Sequence, residues 1–285
     1  MNKNVLPRFE TDVHGDIISV KKQFIIGNFN FCSKTSTYFS NITVLNVVIS
    51  HPKEAQLRDE IRKTWSQTKL ISNVKFFTIF MLGTSNVPIQ LLIKESDAYG
   101  DIVLADFKES YWNLTIKTVK AVTWARFFCQ NVDYLIKFDS DVYINPKQHI
   151  LVNIVKKLRL RNTYAGYCPI DDLEPSRNKS KKFYVSREQY KEDFYPVYCW
   201  GGAYIMSNDV VLKLFNAMKH TKQFMFEDVY VGICLKGASK NSNYSTHIPN
   251  FYMAMKSKPS CKVLENCAFI ERKPGVKKIC PTFVL

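Results

Sequence analysis

Two aspartates, Asp139 and Asp141, directly follow an apolar run that is rich in strand-forming residues. Because successive side chains of an extended chain alternate between faces, a strand that continued through both would point them the same way and Ser140 the other way. Converging carboxylates are ligands that a divalent cation prefers. The spacing therefore predicts a cation site at a strand end, although a solvated turn with two exposed acids fits the same pattern.

A second acidic pair, Glu227 and Asp228, lies between two apolar segments at the predicted start of a helix. The positive end of the helix dipole favours acids there, which is one interpretation of the pair. A carboxylate that is desolvated in a cleft also serves as a general base, which is the other interpretation.

The segment around Trp200-Gly201-Gly202 combines aromatic residues with paired glycines. Glycine lets backbone and ligand approach closely, and aromatic rings offer flat faces of the kind on which sugars stack. An aromatic core strand with a bulge at the glycines fits the segment equally well.

The elements that must position these residues follow an alternating pattern. Apolar runs predict buried strands over 44–50, 75–82, 101–104 and 134–138, separated by helical stretches. This order predicts right-handed crossovers, a mainly parallel sheet and a ligand crevice outside the carboxyl ends of the strands. Arg58 and Arg62 lie one helical turn apart after the first strand, near that edge, or else on a solvated surface with ion pairs to neighbouring acids.

Composition limits the classes of function. The 285 residues carry a formal charge of +15, so anionic partners are expected, and the chain has no zinc-finger spacing and no aromatic pattern typical of RNA recognition. We therefore expect no nucleic-acid partner. Eight cysteines without a C-x-x-C pair make thiolate metal sites improbable and disulfides plausible in an oxidising compartment.

Two further features concern the compartment. Four N-x-S/T sequons, beginning at Asn41, Asn113, Asn178 and Asn243, favour the secretory lumen. The first 31 residues hold no apolar run long enough for a signal peptide or a membrane span. The sequence is then either that of a cytosolic protein or one without its anchor.

A series of motifs in order resembles the β-1,3-galactosyltransferase-like family of inverting glycosyltransferases (glycosyltransferase family 31), which includes β-1,3-N-acetylglucosaminyltransferases. The matching residues are Arg58 to Trp65, Met81-Leu82-Gly83, Glu95, Tyr99 to Ile102, Asp106-Phe107, Ser110-Tyr111, Asn113-Leu114-Thr115, Lys117-Thr118, Lys137 to Val142, Asn145, Tyr195-Pro196, Tyr198, Gly201-Gly202, Tyr204 and Glu227 to Gly232. They extend over about two thirds of the chain.

The resemblance implies an α/β fold of the GT-A type with a single Rossmann-like, mainly parallel sheet and D-x-D at a strand end. It implies a catalytic domain over 44–250, which leaves a stem-like segment over 1–43 and a basic, cysteine-containing tail over 251–285. The partners would be a UDP-sugar donor and a glycan acceptor on a glycoprotein or glycolipid. The location would be the Golgi membrane, with a lumenal catalytic domain and membrane contact only through an N-terminal anchor that this sequence does not show.

The resemblance also assigns roles to residues. Asp139, Asp141 and His247 would hold Mn²⁺, and Asp228 would be the general base. The nucleotide-sugar site would comprise Arg58, Arg62, Lys117 and Asp139, and the region of the two sugars Trp200, Gly201, Gly202 and Glu227.

Three positions depart from the family pattern. Ser140 replaces the acidic middle residue of D-x-D, Trp200 replaces a small residue, and Thr246-His247-Ile248 replaces Asn-His-Trp, so that a surface loop histidine is an alternative. We expect transfer of galactose from UDP-galactose in β-1,3 linkage. UDP-N-acetylglucosamine is the alternative donor, and a non-catalytic carbohydrate-binding relative is the alternative from another class.

Overall fold

The computed structural model describes residues 17–34, 42–66, 69–145, 149–168, 171, 173–238, 245–248, 251–253 and 267–271. The strands are β1 Phe24–Ile26, β2 Ile42–Ile49, β3 Lys69–Ile71, β4 Val74–Thr84, β5 Ile102–Lys108, β6 Tyr134–Asp139, β7 Val142–Ile144, β8 Tyr164–Gly166, β9 Ala203–Ser207, β10 Ser245–His247, β11 Tyr252–Met253 and β12 Phe269–Glu271. The helices are α1 Ile17–Lys21, α2 Phe31–Lys34, α3 Ala55–Ile61, α4 Ile89–Tyr99, α5 Leu114–Phe128, α6 His149–Lys157, α7 Asn208–Met218 and α8 Glu227–Ala238. A π-helical turn, Arg62–Ser66, extends α3, and a 3₁₀ turn, Tyr111–Asn113, precedes α5.

Among the described residues, nine strands form one mixed sheet in the order β1-β5-β4-β2-β6-β9-β8-β10, with β3 beside β4. Its centre, β5-β4-β2-β6, is parallel, as the alternating pattern predicts. Strands buried on both faces have no polar side to expose, which is why these four read as continuous apolar runs. The expectation of a single sheet was wrong, because β11, β12 and β7 form a second, three-stranded sheet.

The main sheet is covered on both faces. Trp124 of α5 and Leu214 of α7 belong to the apolar cluster on one face, together with residues of α8. Trp65 of the π-helical turn, Val155 of α6 and Phe269 of β12 belong to the cluster on the other face. The crossover elements therefore lie on both faces of the sheet, as in other parallel α/β sheets.

Residues on both sides of the predicted catalytic domain pack against it. Residues 17–34, which the sequence assigned to a stem-like segment, bury Val20 and Phe24 in the core, place β1 beside β5 and join α5 through the Cys32–Cys129 disulfide. In the predicted tail, Phe269 of β12 is fully buried. These described parts are therefore integral to the fold.

No helix among the described residues is long and apolar enough to cross a membrane. The sequon residues Asn41 and Asn243, and the residues Cys261 and Cys280, lie outside the described residues.

Candidate active site

One edge of the sheet gathers the predicted site residues. Strands β2 and β6 are parallel and in register at Ile49 and Asp139, so both end there. Strand β9 runs the other way, and the amide of Asp139 donates to the carbonyl of Gly202 just before β9 begins (3.1 Å). The reversal of β9 is what brings the glycine pair to the carboxyl end of β6.

Lys137 is a buried cation at this edge, two residues before the first aspartate. Its Nζ donates to Asp139 Oδ1 (2.9 Å), to the Gly201 carbonyl (2.6 Å) and to Glu227 Oε2 (3.3 Å). Burial by itself would lower the pKa of Lys137, but the two carboxylates outweigh it and raise that pKa. Lys137 is therefore a fixed positive charge that connects three segments of the chain.

The two aspartates of D-x-D differ in environment. Strand β6 ends at Asp139, and Ser140 and Asp141 form a turn, so the strict alternation expected for an extended chain does not reach Asp141. Asp139 has a side chain that is 35% exposed, and burial raises its pKa in spite of the adjacent Lys137. Asp141 is exposed on the turn.

Glu227 is an interior carboxylate. Its Oε1 accepts from Thr118 Oγ1 (2.9 Å) and from the Tyr204 hydroxyl (2.6 Å), and its Oε2 accepts from Lys137. With three donors arranged around it inside the protein, Glu227 serves to hold α8, α5 and the sheet together. The sequence-based placement of Glu227 in the region of the two sugars remains a prediction.

Asp228, the next residue, is half-buried at the first turn of α8, where the sequence predicts a helix to start. One of its oxygens accepts from the amide of Val229 (2.8 Å) and the other from the amide of Gly201 (3.1 Å). Burial and the neighbouring charge of Glu227 raise the pKa of Asp228 to about 6. A carboxylate of this basicity, fixed by two backbone donors, is suited to take a proton near neutral pH.

Gly201 joins the two acidic clusters through its peptide groups. Its amide donates to Asp228 and its carbonyl accepts from Lys137. A Cβ at this position would lie 3.0 Å from Glu227 Oε2, which is closer than ordinary contact. The glycine therefore permits the close approach of β9's leading loop to α8.

The arginine pair lies beside the end of β2. Arg58 is fully buried, and its five N–H groups donate to Glu95, to the Ser50 hydroxyl and to the carbonyls of His51 and Pro52. Direct contact of Arg58 with a phosphate would require one of these bonds to break. In this arrangement Arg58 fixes the loop between β2 and α3.

Arg62 is held in a comparable way. It donates to both oxygens of Asp101 (2.8 Å each) and to Glu95 (2.8 Å), and its guanidinium stacks on the ring of Tyr99 at 3.9 Å. The two arginines lower the pKa of Glu95 although burial opposes that shift. Both arginines thus belong to one ion-pair network.

Lys117 of α5 is buried behind the same edge. Its Nζ donates to the Ser50 carbonyl (2.6 Å) and to both oxygens of Glu109 (2.8 Å each). Burial lowers the pKa of Lys117. Its contact with a nucleotide sugar stays a prediction, and its observed contacts fix the end of β2.

Ser140 and Asp139 have different partners. The Ser140 hydroxyl donates to Glu54 Oε2 (2.8 Å), which also accepts from the Ser50 hydroxyl (3.0 Å) and the His51 amide (2.7 Å). This carboxylate ties the D-x-D turn to the loop between β2 and α3.

Trp200 and His247 come together beside the paired glycines. The ring of Tyr167 lies 4.6 Å from that of Trp200 and 5.1 Å from that of His247. The Cys168–Cys199 disulfide holds Tyr167 near Trp200, because Cys168 follows Tyr167 in the chain and Cys199 precedes Trp200. His247 is exposed, and its Nδ1 accepts from the Cys168 amide (3.2 Å).

The predicted Mn²⁺ ligands fit a metal in part. Lys137 donates a hydrogen bond to one of the two carboxylate oxygens of Asp139. Carboxylate oxygens are ligands that a hard cation takes, so Asp139 and Asp141 suit Mn²⁺. A neutral imidazole whose Nδ1 accepts a hydrogen bond carries its proton on Nε2, so His247 in this arrangement presents no lone pair. Within the described part of the chain, no three His, Cys, Asp or Glu side chains form a ready metal cage.

Comparison with known proteins decides the family. The family described as Galactosyltransferase matches residues 56–243. The chain belongs to the galactosyltransferase family. It is 35% identical over 218 residues to β-1,3-galactosyltransferase 1 of Mus musculus, which covers 75% of this chain and 64% of that protein. It is also 35% identical over 231 residues to UDP-GalNAc:β-1,3-N-acetylgalactosaminyltransferase 1 of Homo sapiens, covering 78% of this chain and 67% of that protein.

Among solved structures, a glycosyltransferase involved in the glycosylation of the major capsid of PBCV-1 superposes with a TM-score of 0.44. It shares 13% identity and covers 81% of this chain and 92% of its own. We infer nothing from a superposition this loose.

The geometry of this galactosyltransferase family member depends on three residues to which sequence reasoning assigned no role. Lys137, Tyr204 and Thr118 surround Glu227. A lysine within a strand of buried apolar residues was the available signal, since a buried charge requires a partner. Its partner is 90 residues away in the sequence, so spacing alone could not identify it.

Proposed function

We propose that this protein is an inverting, Mn²⁺-dependent hexosyltransferase with a GT-A fold. It moves galactose from UDP-galactose to a glycan hydroxyl in β-1,3 linkage during protein or lipid glycosylation. The observation that carries this proposal is Asp228, a half-buried carboxylate with a pKa of about 6 at a helix start, fixed by two backbone amides beside the D-x-D turn.

Asp228 is the general base of this reaction. The acceptor hydroxyl loses its proton to the carboxylate as its oxygen forms a bond to the anomeric carbon. The bond between that carbon and the phosphate oxygen breaks on the opposite face, and its electron pair leaves with UDP. With a pKa of about 6, the carboxylate is mostly ionised at pH 7 yet more basic than an ordinary aspartate.

On the donor side, Asp139 and Asp141 would hold Mn²⁺ against the diphosphate, and the metal would neutralise the charge that develops on the leaving group. Arg58 and Lys117 support this region from behind, since both bind the end of β2. Lys137 keeps Asp139 in place.

The identity of the sugar is the open part of the proposal. The names of two relatives at the same identity specify a galactosyltransferase and an N-acetylgalactosaminyltransferase. UDP-N-acetylgalactosamine is therefore an alternative donor, and UDP-N-acetylglucosamine is the alternative that the family resemblance offers. Each UDP-sugar should be incubated with simple acceptor glycosides in the presence and absence of Mn²⁺, and the linkage of every product determined.

Two variants test the assignments of residues. We expect Asp228→Asn to lose about 10²–10⁴-fold in kcat, because it removes the base. We expect Asp141→Ala to lose its Mn²⁺-dependent activity. Asp97→Asn, an exposed carboxylate on α4, is the matched control and should be fully active. Full metal-dependent activity in Asp141→Ala would refute the metal assignment, and glycan binding without turnover of any donor would favour a non-catalytic relative.

We further propose a lumenal location, with attachment to the Golgi membrane through an N-terminal anchor. The disulfides Cys32–Cys129 and Cys168–Cys199 support an oxidising compartment, because the cytosol keeps such thiols reduced. To test this, the thiols of the protein from cells are labelled either before or after reduction, and electrophoresis shows how many cysteines carry the label. Four thiols at these positions that label without reduction would contradict it.

A further inference from the structure

Four aromatic side chains and one lysine, from three segments, form a largely exposed group beside Asp228, which we term the aromatic platform. Its members are Tyr111, Trp112, Lys182, Phe183 and Phe226. Tyr111, Trp112 and Phe183 are 49%, 48% and 51% exposed. Exposed aromatic residues gathered from separate segments are unusual on a protein surface and mark binding sites.

Contacts between rings and the lysine hold the platform together. The rings of Tyr111 and Trp112 meet edge to face at 5.4 Å, and those of Phe183 and Phe226 do so at 5.6 Å. Lys182 Nζ bridges the two pairs, because it lies 4.6 Å from the centre of the Tyr111 ring and 5.2 Å from that of Phe183. The lysine thus joins both halves through cation–π contacts.

The platform rests on rigid parts of the fold. Ser110 Oγ accepts from the Trp112 amide, and the Asn113 side chain donates to the Lys108 carbonyl, so the turn that carries Tyr111 and Trp112 is fixed.

Phe183 is presented by an equally ordered segment. Its neighbour Val185 is fully buried and donates through its amide to the Ser176 carbonyl (2.9 Å). Arg177 donates to the carbonyls of Val185, Tyr190 and Glu192 and so closes this segment on itself. The exposure of Phe183 is therefore built into the fold.

The platform is continuous with the site of the base. Phe226 precedes Asp228 by two residues, which places their Cα atoms within about 7 Å of each other. Thr115 Oγ1 donates to the Phe224 carbonyl (2.8 Å), and Thr118 donates to Glu227. These bonds fix the start of α5, and with it Tyr111 and Trp112, beside the segment that leads to the base.

We propose that the aromatic platform binds the acceptor oligosaccharide, at the sugars that follow the one carrying the attacking hydroxyl. The C–H faces of pyranose rings are apolar and stack on exposed aromatic rings, whereas the hydroxyl that reacts must lie at Asp228. The site thus takes an extended acceptor chain, and its aromatic residues set the preference for acceptor length. This inference rests on the proposed function, because it assumes that Asp228 marks the acceptor side.

Kinetics with acceptors of increasing length test the platform. Methyl β-glycosides of one to four sugars ending in galactose or N-acetylglucosamine are suitable, because a methyl group cannot itself stack on the rings. For Trp112→Ala and Phe183→Ala we expect the KM of the longest acceptor to rise about tenfold. We expect kcat and the KM of the UDP-sugar to change less than twofold, and the KM of the monosaccharide glycoside to change little.

The matched controls use the same segment and the same residue types. Phe194→Ala removes an equally exposed phenylalanine from the segment that carries Phe183 and should leave every constant unchanged. Phe183→Tyr and Trp112→Phe keep a ring and should retain most of the affinity. Melting temperatures equal to that of wild type would show that the alanine variants are folded.

Titration of the same oligosaccharides by calorimetry, without donor, separates this inference from the proposed function. If Trp112→Ala and Phe183→Ala transfer sugar with an unchanged acceptor KM, the role proposed for the platform is wrong and the proposed function is supported. Binding that is lost in these variants, in a protein that turns over no UDP-sugar, supports the platform and overturns the function. A protein that neither binds nor transfers overturns both.

Discussion

Replacing the proposed base with its neutral isostere, Asp228→Asn, should stabilise the protein at neutral pH although it lowers kcat. The pKa of Asp228 is raised from 3.8 to about 6, so the folded state binds the proton more tightly than the unfolded state does. Stability is then lost as pH rises from about 4 to about 6, and the full cost of ionisation is present above pH 6.

The size of the effect follows from the shift. A shift of this size corresponds to about 3 kcal/mol, which we reduce to about 2 kcal/mol because the side chain is only half-buried and partly screened by water. Asparagine can accept only one of the two backbone hydrogen bonds, from Val229 or from Gly201, and losing the other costs about 1 kcal/mol. The net gain at pH 7.5 is therefore about 1 kcal/mol, and at pH 4 the variant is less stable by about 1 kcal/mol.

Thermal unfolding at pH 7.5 and at pH 4 measures this change of sign. A change of 1 kcal/mol moves the Tm of a protein of this size by about 2 °C. We expect Asp228→Asn to melt above wild type at pH 7.5 and below it at pH 4, whereas Asp97→Asn should follow wild type at both. An equal difference in Tm at the two pH values would refute the reasoning, because it would mean that no charge is held against burial at Asp228.

Three further predictions follow from the charge networks and the disulfide. Glu227→Gln removes a charge that raises the pKa of Asp228, so the acidic limb of the kcat/KM profile, expected near pH 6 in wild type, should move to lower pH. Arg58→Ala removes one of the two buried arginines that pair with Glu95 and should lower the free energy of unfolding in urea by about 3 kcal/mol, with Arg58→Lys only partly restoring it. Cys168→Ser opens a disulfide that spans 31 residues and should cost about 4 kcal/mol in the same assay.

The sequence was sufficient to predict the elements that form the edge of the sheet. Four predicted strands correspond to β2, β4, β5 and β6, and their continuous apolar character follows from burial on both faces. The start of α8 at Glu227 is also as predicted, because an acidic pair followed by apolar residues is typical of a first helical turn. These are local patterns, so local reasoning recovers them.

The contacts made by the site residues were beyond local reasoning. The spacing of Arg58 and Arg62 predicts two neighbouring guanidinium groups but does not identify their partners. Those partners are Glu95 and Asp101, over 30 residues further along the chain. The alternation of an extended chain predicts one direction for Asp139 and Asp141, whereas β6 ends between them. In both cases the outcome depends on tertiary partners.

The position of Lys137 explains why the two acidic clusters are held in one arrangement. Asp139 and Asp228 are connected through Gly201: its carbonyl accepts from Lys137, which also binds Asp139, and its amide donates to Asp228. A movement of the D-x-D turn that displaced Lys137 would therefore also disturb the hydrogen bond to Asp228. Because a buried lysine cannot leave its carboxylates without a large cost, the two clusters keep their relative position in the absence of substrate. Under the proposed function, the same charge that orients the donor-side Asp139 would also place the base, Asp228, so that donor and acceptor would be bound on one rigid support.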